Sequence, residues 1–183
     1  CRDDIMEFDL EGNSVDGSTL TPYGERFIHG ALLEARPEVH SVVHNHSLSV
    51  IPFGVTGTQL QPIIHTGAGI GRDIPIWDIY DKFGDTDLLV RNMDQGRDLA
   101  KCLGNNSVVL MRGHGCSVTG PDIKGATVTA VYLQISAALQ LQSMPLGDVR
   151  YLTPGESEKC TEMFYSGLAM DRVWENLTSR ITK

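Results

Sequence analysis

The chain has 183 residues, 41% of them apolar and 21% charged, with a net charge of −8. That length and composition suit one globular domain able to bury well over half of its unfolded surface. The acidic balance and the lack of any Lys/Arg run argue against a nucleic-acid or anionic-membrane partner, since both need concentrated positive charge.

No apolar stretch approaches the roughly 20 residues of a membrane span, and no signal-like segment opens the chain. Cys1, Cys102, Cys116 and Cys160 form no C-x-x-C pair, which fits reduced thiols in a cytoplasmic protein better than a disulfide framework or a cysteine zinc site. Asn105-Asn106-Ser107 and Asn176-Leu177-Thr178 match a glycosylation pattern short enough to arise by chance, and are read that way.

The opening, "CRDDIMEFDLEGN", lacks an initiator Met and reads as mid-domain sequence, so an N-terminal portion is expected ahead of residue 1. "DDIMEFDLEGNSVDG" predicts a short strand closed by a Gly-Asn turn. In "GERFIHGALLEARPEV", Phe27, Ile28, Ala31, Leu32 and Ala35 stand at helical spacing before Pro37 ends the run. "VHSVVHNH" has the Val-rich character of a buried strand, and "NSVVLMRGHGCSVTG" that of a strand hairpin bent at Gly113 and Gly115. Pro121 then starts a long helix that ends near Pro145, and the tail 151–183 carries a second amphipathic helix after a Pro-Gly turn. Both kinds of element alternate without repeats, so the class is α/β, a sheet covered by helices.

Three of six histidines fall within "HSVVHNHS", residues 40–47. Residues two apart on a strand share a face, which puts the His44 and His46 imidazoles about 7 Å apart along the chain and able to converge on one ion. Ordinary strands also carry such pairs, so a third ligand is needed; His114 in "RGHG" is the obvious source, with Glu25 and His65 as further candidates.

The motifs "PYGERFIHGALLEARPEVHSVVHNHS", "IIHTGAGIGRDIP", "FGDTDLLV" and "VVLMRGHGCSV", in that order, resemble the core of the class II aldolase/adducin family from about Asp4 to Met144. The resemblance implies one domain over residues 1–183 with a central, mostly antiparallel sheet flanked by helices. It also implies a divalent transition metal, usually zinc, with manganese, iron and cobalt open. Residue by residue, His44, His46 and His114 match the metal ligands, and Glu25 matches a carboxylate that is an acid/base or a further ligand. His29, one helical turn after Glu25, belongs to the same motif. Family enzymes usually form tetramers with sites at subunit boundaries, where a neighbour's tyrosine enters; Tyr80 is the candidate here.

Sugar-phosphate aldolases of the family carry two serines immediately before the glutamate, where this chain has Tyr23-Gly24. Loss of two hydroxyl donors points away from a phosphorylated substrate. The expectation is a metal-dependent carbon–carbon lyase acting on an unphosphorylated hydroxy- or keto-carboxylate, by decarboxylation or retro-aldol cleavage through a metal-stabilised enolate. Glu25 moves the proton, with His65 as a second acid/base, Tyr23 and Gly24 line the substrate, and Arg72 or Arg112 holds its carboxylate. The rival readings are a sugar-phosphate aldolase or epimerase, a non-haem iron oxygenase on the same ligands, and an adducin-like interaction module without catalysis.

Overall fold

Residues 5–15 and 17–181 are described in the computed structural model. Four strands, β1 (Ser41–Asn45), β2 (Ile76–Trp77), β3 (Val108–Met111) and β4 (Gly115–Gly120), form one sheet in the order β1-β4-β3-β2. The β1–β4 and β3–β4 pairs are antiparallel and β2–β3 is parallel. The mostly antiparallel expectation therefore holds, with β2 as an added parallel edge.

The run Val108-Val109-Leu110-Met111 explains how helices come to lie on both faces. Alternate side chains point to opposite sides of a strand, and a strand apolar at every position needs both sides covered. Val108 and Leu110 join a core with Phe53, Leu60, Ile70, Leu133 and Ala137. Val109 and Met111 join another with Ile28, Leu32, Trp77, Leu99 and Leu103. The first layer includes α2 (Ile51–Thr56), a 3-10 turn at His65–Ile70 and the long α5 (Ile123–Ser143); the second holds α1 (Arg26–Ala35) against α4 (Met93–Leu103). Short α3 (Tyr80–Phe83) follows β2. Asp122 caps α5 by accepting from the Gly125 N–H, and Asn92 caps α4 by accepting from that of Gln95.

Two expectations are corrected. The opening segment keeps the expected turn at Gly12-Asn13, where Asp9 accepts from the Asn13 backbone and side chain, but in place of a strand it shows among the described residues an isolated bridge between Phe8 and Ser14. Asp3, Asp4 and Asp16 of the expected strand and its turn lie outside the described residues. Pro154-Gly155 is not a turn but the first turn of α6 (Pro154–Tyr165), which opens with a full capping box between Thr153 and Glu156. The tail then holds a further helix, α7 (Leu168–Thr178), after Gly167 at φ +133°. Among the described residues, Cys102, Cys116 and Cys160 are free thiols, and no helix is long and apolar enough to cross a membrane.

Candidate metal centre

The sheet brings three chain segments to one end. His44 lies on β1 opposite Ser117, and His46 follows just past the strand end. The β3–β4 bend carries His114, and two glycines make that bend possible. Gly113 adopts φ +68°, and a Cβ on Gly115 would stand 2.2 Å from the Asn45 carbonyl oxygen, so only glycine allows β4 to start this close to the end of β1. The third segment is the start of α1, where Glu25 occupies the N-cap position without capping the helix. Its carboxylate turns into the cluster instead.

The Nε2 atoms of the three histidines converge. His46 Nε2 is 3.2 Å from that of His44 and 2.9 Å from that of His114. Glu25 Oε2 lies 3.3 Å from His44 Nε2 and 3.8 Å from His46 Nε2, and Oε1 lies 3.2 Å from His114 Nε2. The side chains of Glu25, His44 and His114 are buried, whereas that of His46 is 56% exposed, so the cluster opens to solvent on the His46 side.

The chemistry of this donor set fits a cation. His44 Nδ1 lies 3.0 Å from the Cys116 carbonyl and His114 Nδ1 2.8 Å from the Leu88 carbonyl. A carbonyl only accepts, so each Nδ1 carries a proton, and in the neutral form of such a ring it is Nε2 that offers a lone pair to the cluster. Burial, reinforced by the neighbouring imidazoles and opposed by Glu25, pushes His44 down to about 4, which keeps its ring neutral near pH 7. Two lone pairs and a carboxylate facing one another call for a positive centre. The pairs, 2.9–3.8 Å apart, lie within about twice the zinc–nitrogen or zinc–oxygen bond length of 2.0–2.2 Å.

The segment before α4 supports this set with backbone groups. Leu88 accepts from His114, and the Val90 N–H reaches Glu25 Oε1 at 3.4 Å. Leu88 has φ +65°, a conformation costing a non-glycine residue about 1–2 kcal/mol. Sequence reasoning did not single out these groups, since a backbone carbonyl and a left-handed leucine leave no residue-type signal.

Tyr23 is half exposed, and its hydroxyl donates to Glu25 Oε2 at 3.4 Å. Burial first, then the Glu25 charge, raises its proton affinity. Its ring meets His29 edge-on at 6.4 Å, and burial holds His29 below its ordinary value against the pull of Glu25. Tyr23 and His29 also line a cavity of about 310 Å³ with Phe8, Leu10, Arg26 and Leu33. Gly24 stands exposed between Tyr23 and Glu25.

The other sequence candidates lie outside the four-residue cluster. His65 is exposed at the start of the 3-10 turn, which packs on α5 and α6. Tyr80 is 55% exposed at the start of α3. The Arg72 guanidinium donates to the Leu152 carbonyl, and Arg112 pairs with Asp78, which leaves each engaged within the fold.

An α/β sheet with three imidazoles and one carboxylate gathered at a strand end and a hairpin bend defines the class of protein. The chain belongs to the class II aldolase and adducin family, matching the Class II Aldolase and Adducin N-terminal domain over residues 1–141. It is 36% identical over 155 residues to the decarboxylase tropJ of Talaromyces stipitatus, covering 78% of this chain and 58% of that protein. It is 26% identical over 166 residues to a 3,4-dihydroxyphthalate decarboxylase of Terrabacter, covering 88% and 66%. The chain thus spans less than two thirds of the length of either relative. Its fold matches the solved structure of an L-fuculose 1-phosphate aldolase with a TM-score of 0.70 at 21% identity, over 88% of this chain and 72% of that one.

Proposed function

We propose that the chain is the metal-binding part of a lyase that decarboxylates an unphosphorylated hydroxy- or keto-carboxylate. The observation that carries this is the convergence of His44, His46 and His114 Nε2 with the Glu25 carboxylate, four donor atoms within 4.8 Å of one another. The similarity to two decarboxylases, one named for a dihydroxylated aromatic acid, and Tyr23-Gly24 in place of a phosphate-binding serine pair support the substrate class.

His44, His46 and His114 would hold a divalent ion, with Glu25 as a further ligand or as the acid/base. Such an ion supplies a Lewis acid for the substrate's adjacent oxygens, which lowers the energy of the electron pair left behind when carbon dioxide departs. The chain's own residues do the rest. Glu25, buried and fixed by Val90 and Tyr23, exchanges a proton with the substrate: it takes one from a hydroxyl or returns one to the carbon that lost its carboxylate. The Tyr23 ring offers a flat apolar wall beside that carboxylate, and the cavity it lines has room for the body of an aromatic or keto acid. The exposed His46 side is the route of entry. A homotetramer, with Tyr80 entering a neighbouring site, belongs to the same proposal.

The test is elemental analysis of purified protein, followed by assay of hydroxylated aromatic and keto acids for carbon dioxide and of fuculose and ribulose phosphates for aldehyde. One divalent metal per chain and faster turnover of the unphosphorylated acids are expected. Faster cleavage of the sugar phosphates would return the chain to the aldolase reading, and strict dependence on dioxygen to the oxygenase reading.

A further inference from the structure

The segment Thr86–Val90 touches the metal centre twice without contributing a ligand atom. The Leu88 carbonyl accepts from His114 Nδ1 at 2.8 Å, and the Val90 N–H reaches Glu25 at 3.4 Å. Leu88 is the one non-glycine residue with positive φ among the described residues. Its conformation is pinned locally: Thr86 Oγ1 accepts from the Leu88 N–H at 3.0 Å, and Asp87 Oδ1 from the Leu89 N–H at 3.2 Å. The Leu88 side chain packs against the core around Met111 and abuts Gly113, where an added Cβ would come within 3.3 Å of Leu88 Cδ1. One residue therefore meets the His114 bend with both its backbone and its side chain.

Strain of this kind persists where the surroundings over-determine it. Asparagine or glycine would adopt the left-handed region more readily; the leucine keeps its core packing at a conformational cost, and it is the backbone conformation, not the side chain, that aims the carbonyl at the imidazole. We infer that Leu88 is a positioning residue of the metal centre: its left-handed backbone directs its carbonyl at His114 Nδ1 and so fixes the tautomer and ring plane that present Nε2 to the ion. The inference rests on the metal reading proposed above.

Two substitutions at this position separate backbone conformation from side-chain packing. Leu88→Ile keeps the apolar bulk but is β-branched and hostile to positive φ; Leu88→Gly discards the bulk and frees the conformation. Zinc affinity of the full chain would be measured by competition with a chromophoric chelator, and the His114 tautomer by nitrogen-15 NMR of the chelator-treated protein. Leu88→Ile is expected to weaken zinc binding by about 10–100-fold, as loss of an outer-shell partner does, and to blur the Nδ1–H signal of His114, while Leu88→Gly stays within about threefold of the parent.

The reverse order, or equal affinity in all three proteins, overturns the inference. If the parent chain takes up neither zinc nor manganese, iron or cobalt, the metal reading falls, and the tautomer comparison in metal-free protein still decides the role of Leu88. If Leu88→Ile does not fold, Leu88→Ala replaces it: weaker binding than Leu88→Gly supports the conformational role, and equal or tighter binding overturns it.

Discussion

Two helix starts in this molecule are built on opposite terms. At α6, Thr153 and Glu156 exchange side-chain and backbone hydrogen bonds, and Pro154 sits in the first turn. At α1 the N-cap residue is Glu25, whose side chain caps nothing and is buried facing three imidazoles. One start uses its polar side chains to satisfy the helix; the other gives them to the cluster and leaves the helix end without a side-chain cap. Natural proteins break local rules of this sort where function requires it, at a cost in stability.

The largest expected effect comes from dismantling the functional start's partner set. His114→Ala removes one of the converging donors, and zinc uptake measured by chelator competition should weaken by more than the roughly 10–100-fold typical of losing an outer-shell group. Unchanged zinc affinity would show that His114 is not a ligand. Next, Glu25→Gln keeps the side chain's shape and removes its charge. Turnover should fall by about 100-fold or more with metal still bound, which metal analysis beside steady-state kinetics would check. Unchanged turnover would move the acid/base role elsewhere, with His65 first in line.

The comparison predicts opposite signs for stability in chelator-treated protein. Thr153→Ala should cost about 1 kcal/mol, the usual loss of a good cap. Glu25→Gln should gain about 1 kcal/mol, since it relieves a buried carboxylate that lacks its cation. Urea unfolding midpoints of the three proteins decide it, and two losses would erase the contrast between the helix starts.

The smallest effect is a pH dependence carried by His29, one turn into α1. Burial lowers its proton affinity in the folded state, so as pH falls below about 6.5 the unfolded chain takes up a proton that the folded chain refuses. Its contribution is fully present above that pH and is lost as pH falls toward the lowered folded-state value. His29→Phe should flatten this part of the stability profile by at most about 1.4 kcal/mol per pH unit. An unchanged slope would mean that His29 is as free to protonate in the fold as out of it.

Much of this could be read from residue order. The H-x-H pair on a strand, the glycines around His114 and the unbroken apolar run of β3 each carry a physical signature, and the structure brings His44, His46 and His114 together with Glu25. What was not legible has equally physical causes. A two-residue strand such as β2 is too short to show a period of two. Pro-Gly marks both turns and helix starts, and here only the Thr153 and Glu156 spacing tells them apart. The opening segment alternates like a strand but is closed by its own Asp9–Asn13 turn. The positive φ of Leu88 runs against its residue type, and the local Thr86 and Asp87 turns that pin it occur in many loops without that conformation.

The unequal exposure of the four donors bears on traffic rather than on affinity. Three are walled in, and His46 alone faces water. An ion held there would be approached by a competing chelator from one side only, past the exposed imidazole. The rate of metal exchange would then be set beside a single residue just past the end of β1, and any bulky molecule lodged at that mouth would slow the ion's departure by blocking its way out.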